Sequence, residues 1–172
     1  KMWQKEVAAR SLMEQKKALE LDYANPDGSY KTIDQLEKSG ELSFITPEVT
    51  MKMNEALGTQ IGRDMQGQMF DWMSQNEESL AQMSSDKFLD AFDGHVTFLA
   101  QQPGVIEATV QPGVTKKMQD QLSGLRSQFL TKQAAAAQEY TATKLRSALR
   151  NNIDAALEGA TDPVTAGEKL ST

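Results

Sequence analysis

The sequence predicts an all-α fold, an elongated array of helices with a long C-terminal helix and a helical hairpin. Strong helix formers dominate its composition, with 19 Ala, 16 Leu, 16 Gln and 9 Met. The β-branched residues Val and Ile occur only 7 and 5 times. Apolar residues also recur every three or four positions, as they do along one face of a helix. Together these observations exclude an all-β fold.

Composition also excludes several classes of function. The chain has 172 residues, no Cys and a single His, which rules out a disulfide scaffold, a thiol nucleophile and a thiolate zinc site. The net charge is −6, and a general nucleic-acid binder needs clustered Lys and Arg instead. Residues 1–86 carry 15 acids and 9 bases, whereas residues 87–172 carry 9 of each. No part of the chain is strongly basic.

The domain organisation predicted here is an N-terminal helical region, residues 1–80, followed by a hairpin with a long helix, residues 81–172. No stretch approaches the roughly 20 apolar residues of a membrane-spanning helix, and the start has no signal-peptide core. The chain begins at Lys1 and ends at Thr172 without a Gly or Pro stop. We therefore expect it to be a portion of a larger polypeptide.

The first helix is predicted from Trp3 to about Ala24. Residues 25–28 end it, because Asn-Pro-Asp-Gly is a strong turn signal. Its apolar positions predict the buried face of an amphipathic helix. These positions are Val7, Leu12, Met13, Leu19 and Tyr23.

Two further helices have clear start signals. Thr32 and Gln35 form a capping-box pattern for a short helix that ends at Ser39-Gly40. Thr46, followed by Pro47, begins a third helix that should run to about Asn76. Its apolar stripe predicts a core face in preference to an adaptable, Met-rich partner or membrane surface. The stripe comprises Val49, Met53, Leu57, Ile61, Met65, Met69, Trp72 and Met73.

Three glycines, Gly58, Gly62 and Gly67, lie beside this stripe. Each costs roughly 1 kcal/mol relative to Ala inside a helix. Either the helix is locally weak or bent there, or another backbone approaches it closely. The first interpretation is favoured.

A fourth helix should begin at Ser84 or Ser85 and stop before Gln102-Pro103-Gly104. It carries the most concentrated apolar stripe of the chain, comprising Phe88, Leu89, Phe92, Val96 and Leu99. Residues 105–110 have a β-like composition, but one short strand cannot form a sheet alone. They are predicted to form a short helical turn or an extended connector.

From Val114 to about Gly159 only Gly124 disfavours helix. A continuous helix of that length would measure roughly 69 Å at 1.5 Å per residue. Its apolar seam shifts phase near the middle, as at a stutter in a coiled coil. The seam comprises Met118, Leu122, Leu125, Phe129, Gln133, Ala136 and Tyr140, followed by Leu145, Leu149, Ile153 and Leu157.

Candidate chemical groups are sparse. His95 has no second ligand one turn away, and Glu77 and Glu78 lack any pocket-forming pattern, so all three are interpreted as structural or solvated residues. No phosphate, dinucleotide or nucleophile motif is present. We therefore predict no enzymatic activity, no cofactor and no metal site.

Three cations on the long helix, Lys144, Arg146 and Arg150, form the one candidate polar contact site. A solvated helix face is the favoured interpretation. The alternative is a local contact with a phosphate or an acidic partner.

The segment from about residue 85 to residue 160 has a distinctive combination of apolar runs, prolines and helical spacing. It comprises Phe88-Leu89-Asp90-Ala91-Phe92, Pro103, Pro112, and Met118-x-x-x-Leu122-x-x-Leu125-Arg126-x-x-Phe129-Leu130 leading into residues 134–140. In this composition and spacing the segment resembles the helical regions of internal virion proteins of short-tailed bacteriophages. These are the ejection proteins that leave the capsid ahead of the genome.

The resemblance implies a structural component that self-assembles into a capsid core or into an envelope-spanning tunnel for genome delivery. It implies a homo-oligomer in the virion interior, and in the host cell envelope after ejection. The implied partners are other internal virion proteins or the portal, transiently the genomic DNA, and a membrane only after ejection. Some members carry a lytic transglycosylase domain elsewhere, but no catalytic residue can be transferred to this chain.

The residues predicted to carry packing and assembly come from two helices. They are Phe88, Phe92 and Leu99 on one helix, and Met118, Leu122, Leu125 and Phe129 on the other. Two other hypotheses remain open at this point. One is a cellular helical adaptor that binds partner helices through the Met-rich third helix, and the other is an accessory region of a peptidoglycan-cleaving enzyme.

Overall fold

The computed structural model describes residues 2–159. Within that range the chain forms eight helices, and the all-α prediction is confirmed. In chain order they are α1 (Met2–Glu20), α2 (Ile33–Ser39), α3 (Pro47–Gln75), α4 (Glu77–Ala81), α5 (Ser85–Ala100), α6 (Pro103–Thr109), α7 (Val114–Leu122) and α8 (Leu125–Glu158). The final part of the predicted 81–172 region, residues 160–172, lies outside the described residues.

Local capping determines where several of these helices start. Thr32 and Gln35 form both hydrogen bonds of the predicted capping box. The Thr46 hydroxyl accepts a hydrogen bond from the Val49 N–H, with Pro47 in the first turn. Ser84 caps α5 in the same way, accepting from Lys87 N–H. These three predicted helix starts are confirmed.

The core is one hydrophobic cluster built around α3. The apolar stripe of α3 is buried from Val49 to Met69, as the sequence predicted, and the other seven helices and two loop residues, Tyr23 and Leu42, supply the rest of the cluster. Met65 and Met69 are fully enclosed. The stripe is therefore core, and it is not available as the surface on which the adaptor hypothesis depended.

Two glycines allow α7 to pack directly on the backbone of α3. A Cβ atom added at Gly58 would overlap the carbonyl oxygen of Val114, and one at Gly62 would lie 2.9 Å from that of Met118. Such approaches are possible only where no side chain intervenes. The favoured interpretation of a weak helix is thus wrong at Gly58 and Gly62. At Gly67 no atom lies within 4 Å, and that glycine has no such contact.

The predicted continuous C-terminal helix is wrong in one respect, because it is broken at Ser123 and Gly124. Gly124 has φ 79°, in the left-handed region that favours glycine. The break redirects the chain from α3, against which α7 packs, to α4 and α5, against which α8 packs. The remaining helix, α8, has 34 residues and a length of about 51 Å.

Two short helices, α6 and α4, lie in segments whose conformation the sequence did not define. Residues 103–109 form α6, so the helical alternative for this connector is the correct one. Glu77 and Glu78 begin a separate short helix, α4, where only a solvated helix end was expected. Asn76 separates α4 from α3 and carries φ −119°, ψ 21°, outside helical geometry.

The first helix was predicted with the wrong end and the wrong buried face. It ends at Glu20 instead of Ala24. Leu12, Met13 and Leu19 are exposed, whereas the residues that α1 buries are Ser11, Glu14 and Ala18. Polar contacts explain the difference, since the Ser11 hydroxyl lies 2.9 Å from the Thr46 hydroxyl that caps α3.

Glu14 joins α1 to the loop before α3. Its carboxylate accepts hydrogen bonds from Lys17 Nζ at 2.9 Å and from the Ser43 N–H at 3.1 Å. Burial opposes ionisation, but these hydrogen bonds outweigh it and hold the pKa of Glu14 below its ordinary value of 4.5. Glu14 is therefore a buried but charged side chain at neutral pH.

This arrangement predicts that Glu14 contributes stability that depends on pH. Because its pKa is lower in the folded chain than in the unfolded chain, the contribution is present above about pH 4.5 and is lost as pH falls through the folded pKa. We expect Glu14→Gln to reduce the loss of melting temperature between pH 6 and pH 3. Thermal unfolding of both proteins followed by circular dichroism measures this. Parallel pH profiles for the two proteins would show that Glu14 contributes nothing to the acid sensitivity.

Candidate functional site

The proximal half of α8 is fixed to the body by an aromatic cluster. The ring centroid of Phe129 lies 4.9 Å from that of Phe70 on α3 and 5.4 Å from that of Phe92 on α5, the latter edge to face. Lys132 Nζ lies 4.6 Å from the Phe70 centroid, in cation–π contact. α8 is thereby packed against two other helices at one point.

One turn further along α8, Gln133 is almost completely buried. Its side-chain amide donates to the carbonyl oxygens of Leu80 at 3.0 Å and Met83 at 2.9 Å. Leu80 lies in the last turn of α4, and Met83 lies two residues beyond its end. Gln133 thus caps the end of α4 from a neighbouring helix. The sequence had placed Gln133 only as a member of the seam.

We expect Gln133→Met to destabilise the chain by about 1–3 kcal/mol, because the Met83 carbonyl would lose this donor and the Leu80 carbonyl would keep only its backbone donors, while the side-chain volume is kept. Urea unfolding measures this loss, and amide exchange should accelerate in α4. Gln138→Met is the matched control, since Gln138 is exposed on the same helix. If both variants unfolded at the same urea concentration, Gln133 would have no capping role.

The predicted packing residues all lie in or against the core. Leu122 is half-buried, and the others of the set, Phe88, Phe92, Leu99, Met118, Leu125 and Phe129, are buried. Leu122 and Leu125 line a shallow depression with Phe92 of α5. Met118 lies on α7, and its backbone carbonyl approaches Gly62 of α3. Because these side chains are enclosed within one chain, they pack the subunit and leave little surface for contact between subunits.

The distal part of α8 is different, because it carries apolar residues with nothing packed on them. Residues 143–159 are all exposed except for the half-buried Ala156. Leu145, Leu149, Ile153 and Leu157 are 69%, 60%, 37% and 51% exposed. We call these four residues the distal apolar row. At a spacing of four they form a single ridge on one side of the helix.

The three predicted cations lie along this same part of α8, and all are exposed. Lys144 lies over the ring of Tyr140, with Nζ 5.3 Å from the centroid, and a hydrogen bond with Tyr140 raises the pKa of Lys144. Arg146 lies 3.9 Å from Glu139 in an exposed ion pair. A contact of Lys144, Arg146 and Arg150 with a phosphate or an acidic partner stays a prediction.

The clefts in the described part of the chain include one of about 550 Å³ between α1 and α3. Asp22 in this cleft accepts a hydrogen bond from Gln60, which lowers its pKa and keeps it ionised. No group of three His, Cys, Asp or Glu residues within residues 2–159 is placed to hold a metal ion.

His95 is packed as an aromatic side chain. Its ring stacks on Trp72 with centroids 5.1 Å apart and on Phe98 with centroids 5.8 Å apart. Burial lowers its pKa, which favours the neutral imidazole. This stack agrees with the structural role predicted for His95.

Sequence reasoning identified the distal apolar row only as a phase shift in a seam. The missed signal was the neighbouring row one residue further on, which reads Arg146, Arg150, Asp154, Glu158. In this row two bases are followed by two acids, beside apolar side chains that are exposed in the described structure.

Comparisons with known proteins identify no relative: no protein-family model, no curated protein and no solved structure matches this chain. The resemblance to phage ejection proteins therefore depends on the quoted residues alone. Among the helices in residues 2–159, none combines the length and apolar character that a membrane span requires.

Proposed function

We propose that this chain is a non-enzymatic structural segment of an internal virion protein, one that self-assembles into a capsid core or an envelope-spanning tunnel for genome delivery by a short-tailed phage. The observation that carries the proposal is the distal apolar row. It lies on about 24 Å of helix beyond the packed body, residues 143–158, where four large apolar side chains have no partner within the described chain.

The energetics of such a helix favour association. An exposed helix of this length is marginal on its own in water and gains stability by burying an apolar face. Each large apolar side chain removed from water contributes about 1.5–3 kcal/mol when fully buried. A repeating subunit of a ring or tunnel would bury this ridge on its neighbours. The proposed homo-oligomer, with other internal virion proteins or the portal as neighbours, follows from this reasoning.

The location can be tested in phage particles. Antibodies against the purified chain would be used to probe purified particles of the phage that encodes it, before and after triggered genome release. We expect the polypeptide in intact particles and its depletion from emptied ones, with the major capsid protein unchanged as the control. Recovery only from the host cell fraction, with none in purified particles, would refute the virion assignment.

A further inference from the structure

Three parallel rows of residues run along the distal part of α8. The distal apolar row is flanked on one side by the charged row, Arg146, Arg150, Asp154 and Glu158, and on the other by Lys144 followed by the shorter side chains of Ala148, Asn152 and Ala156. Residues four apart form the ridges through which helices pack. This part of α8 therefore presents an apolar ridge between a charged ridge and a ridge of mostly shorter side chains.

We propose that this surface binds the same surface of a second copy of the chain, in an antiparallel, crossed arrangement. This inference rests on the proposed self-assembly and specifies one of its interfaces, because a two-fold contact by itself closes a dimer and a ring or tunnel needs a second contact. The distal apolar row is symmetric about Asn151, so a two-fold axis there places Leu149 against Ile153 of the partner subunit. The same axis places Leu145 against Leu157 of the partner subunit, and the ridge is self-complementary.

The order of charges selects the antiparallel orientation. Along the charged row two bases precede two acids, so an antiparallel pair brings Arg146 and Arg150 of one copy beside the acids of the other. A parallel two-fold pair in register would place the two charged rows on opposite sides of the interface, where no base of one row meets an acid of the other. Within residues 2–159, Arg150, Asp154 and Glu158 make no ion pair, so these charges are free to meet a partner.

The spacing of four also determines the packing geometry. When the i±4 ridges of two helices interdigitate, the helices cross at about 50° and touch over only a few turns. The small side chains of Ala148 and Ala156 allow the helices to approach closely at the crossing. Such a contact is smaller than the roughly 800 Å² per partner of a standard interface. Association should therefore depend on concentration over the micromolar range.

Charge reversal on the full 172-residue chain tests this pairing by sedimentation velocity at several concentrations. We expect Arg146→Glu/Arg150→Glu and Asp154→Lys/Glu158→Lys each to weaken self-association by about tenfold or more. An equimolar mixture of the two variants should restore association, because one charged row is then wholly acidic and the other wholly basic. Lys16→Glu/Lys38→Glu is the control, since it alters net charge as Arg146→Glu/Arg150→Glu does but on exposed residues of other helices.

Orientation is measured separately with spin labels, since the chain has no native Cys. In an antiparallel pair the two labels at Thr143→Cys lie up to about 24 Å apart along the helix axes, whereas those at Asn151→Cys lie at the same level along the axes, on the outer faces of the pair. Equal label distances at the two positions would indicate a parallel pair and would overturn the inference.

Other outcomes overturn the inference without deciding the proposed function. If charge reversal left the association of the wild-type chain unchanged, another surface would mediate assembly. If the full chain were monomeric but a chain lacking residues 160–172 associated, the chain's own C-terminal segment would cover the ridge. The presence of the polypeptide in phage particles is decided independently of either result.

Discussion

Gly58→Ala is expected to lower the free energy of unfolding by about 3 kcal/mol, although Ala is the better helix former. The added methyl group would overlap the Val114 carbonyl oxygen and would lie 2.8 Å from Lys117 Cβ. A backbone carbonyl cannot rotate away as a flexible side chain can, so α7 must move as a unit. Overpacking of this kind typically costs 1–3 kcal/mol, and the backbone contact places Gly58 at the upper end.

Gly67→Ala is the matched control for this substitution. It lies on the same helix, but its added methyl group meets no atom within 4 Å. We expect it to stabilise the chain by roughly 0.5–1 kcal/mol, which is the ordinary gain from replacing Gly inside a helix. Urea unfolding followed by circular dichroism at 222 nm measures both variants. Opposite signs are the expected result, and stabilisation by both would disprove the close packing of α7 on α3.

Gly62→Ala should fall between these two variants. Its closest neighbour is the Gln121 Cβ at 2.5 Å, and the Met118 carbonyl oxygen follows at 2.9 Å. The side chain of Gln121 can move in part, so some of the strain can relax. The order of stability, Gly67→Ala above Gly62→Ala above Gly58→Ala, tests the α3/α7 interface more strictly than any single value does.

These glycines illustrate which parts of the fold sequence reasoning could reach. Helix starts at Thr32, Thr46 and Ser84 are local, because the cap and the N–H it binds lie within three residues. The buried stripe of α3 was equally visible, since its period matches the helix. The reason for Gly58 lies in α7, more than fifty residues away, and no pattern within α3 can show it.

The same distinction explains the errors on α1 and α8. On α1 the apolar residues predicted one buried face. A different face is buried, because hydrogen bonds join Ser11 to Thr46, the N-cap of α3, and the Ser43 N–H to the Glu14 carboxylate. On α8 the apolar seam was correctly identified as far as Gln133. Further along α8 the apolar spacing continues in the sequence, but the packed core no longer covers these side chains. Periodicity shows which face of a helix is apolar, but it does not show whether another helix covers that face.

The same substitution, Leu to Asp, is expected to have very different effects at the two ends of the α8 seam. Leu125→Asp is expected to destabilise the chain by about 4 kcal/mol or more, because Leu125 is 2% exposed and the new carboxylate would be buried without a partner. A single domain has only about 5–15 kcal/mol of stability in total. The urea midpoint should therefore fall steeply, and at the low end of that range the chain would be only marginally folded near room temperature.

Leu145→Asp introduces the same group twenty positions further along the same helix, where Leu145 is 69% exposed. Its free energy of unfolding should change by less than about 1 kcal/mol when measured on dilute protein. At high protein concentration the same variant should associate more weakly than the wild-type chain, because a charge replaces one end of the apolar ridge. If Leu145→Asp unfolded the dilute chain as Leu125→Asp does, the distal row would be part of the core. That result would remove the surface on which the proposed assembly depends.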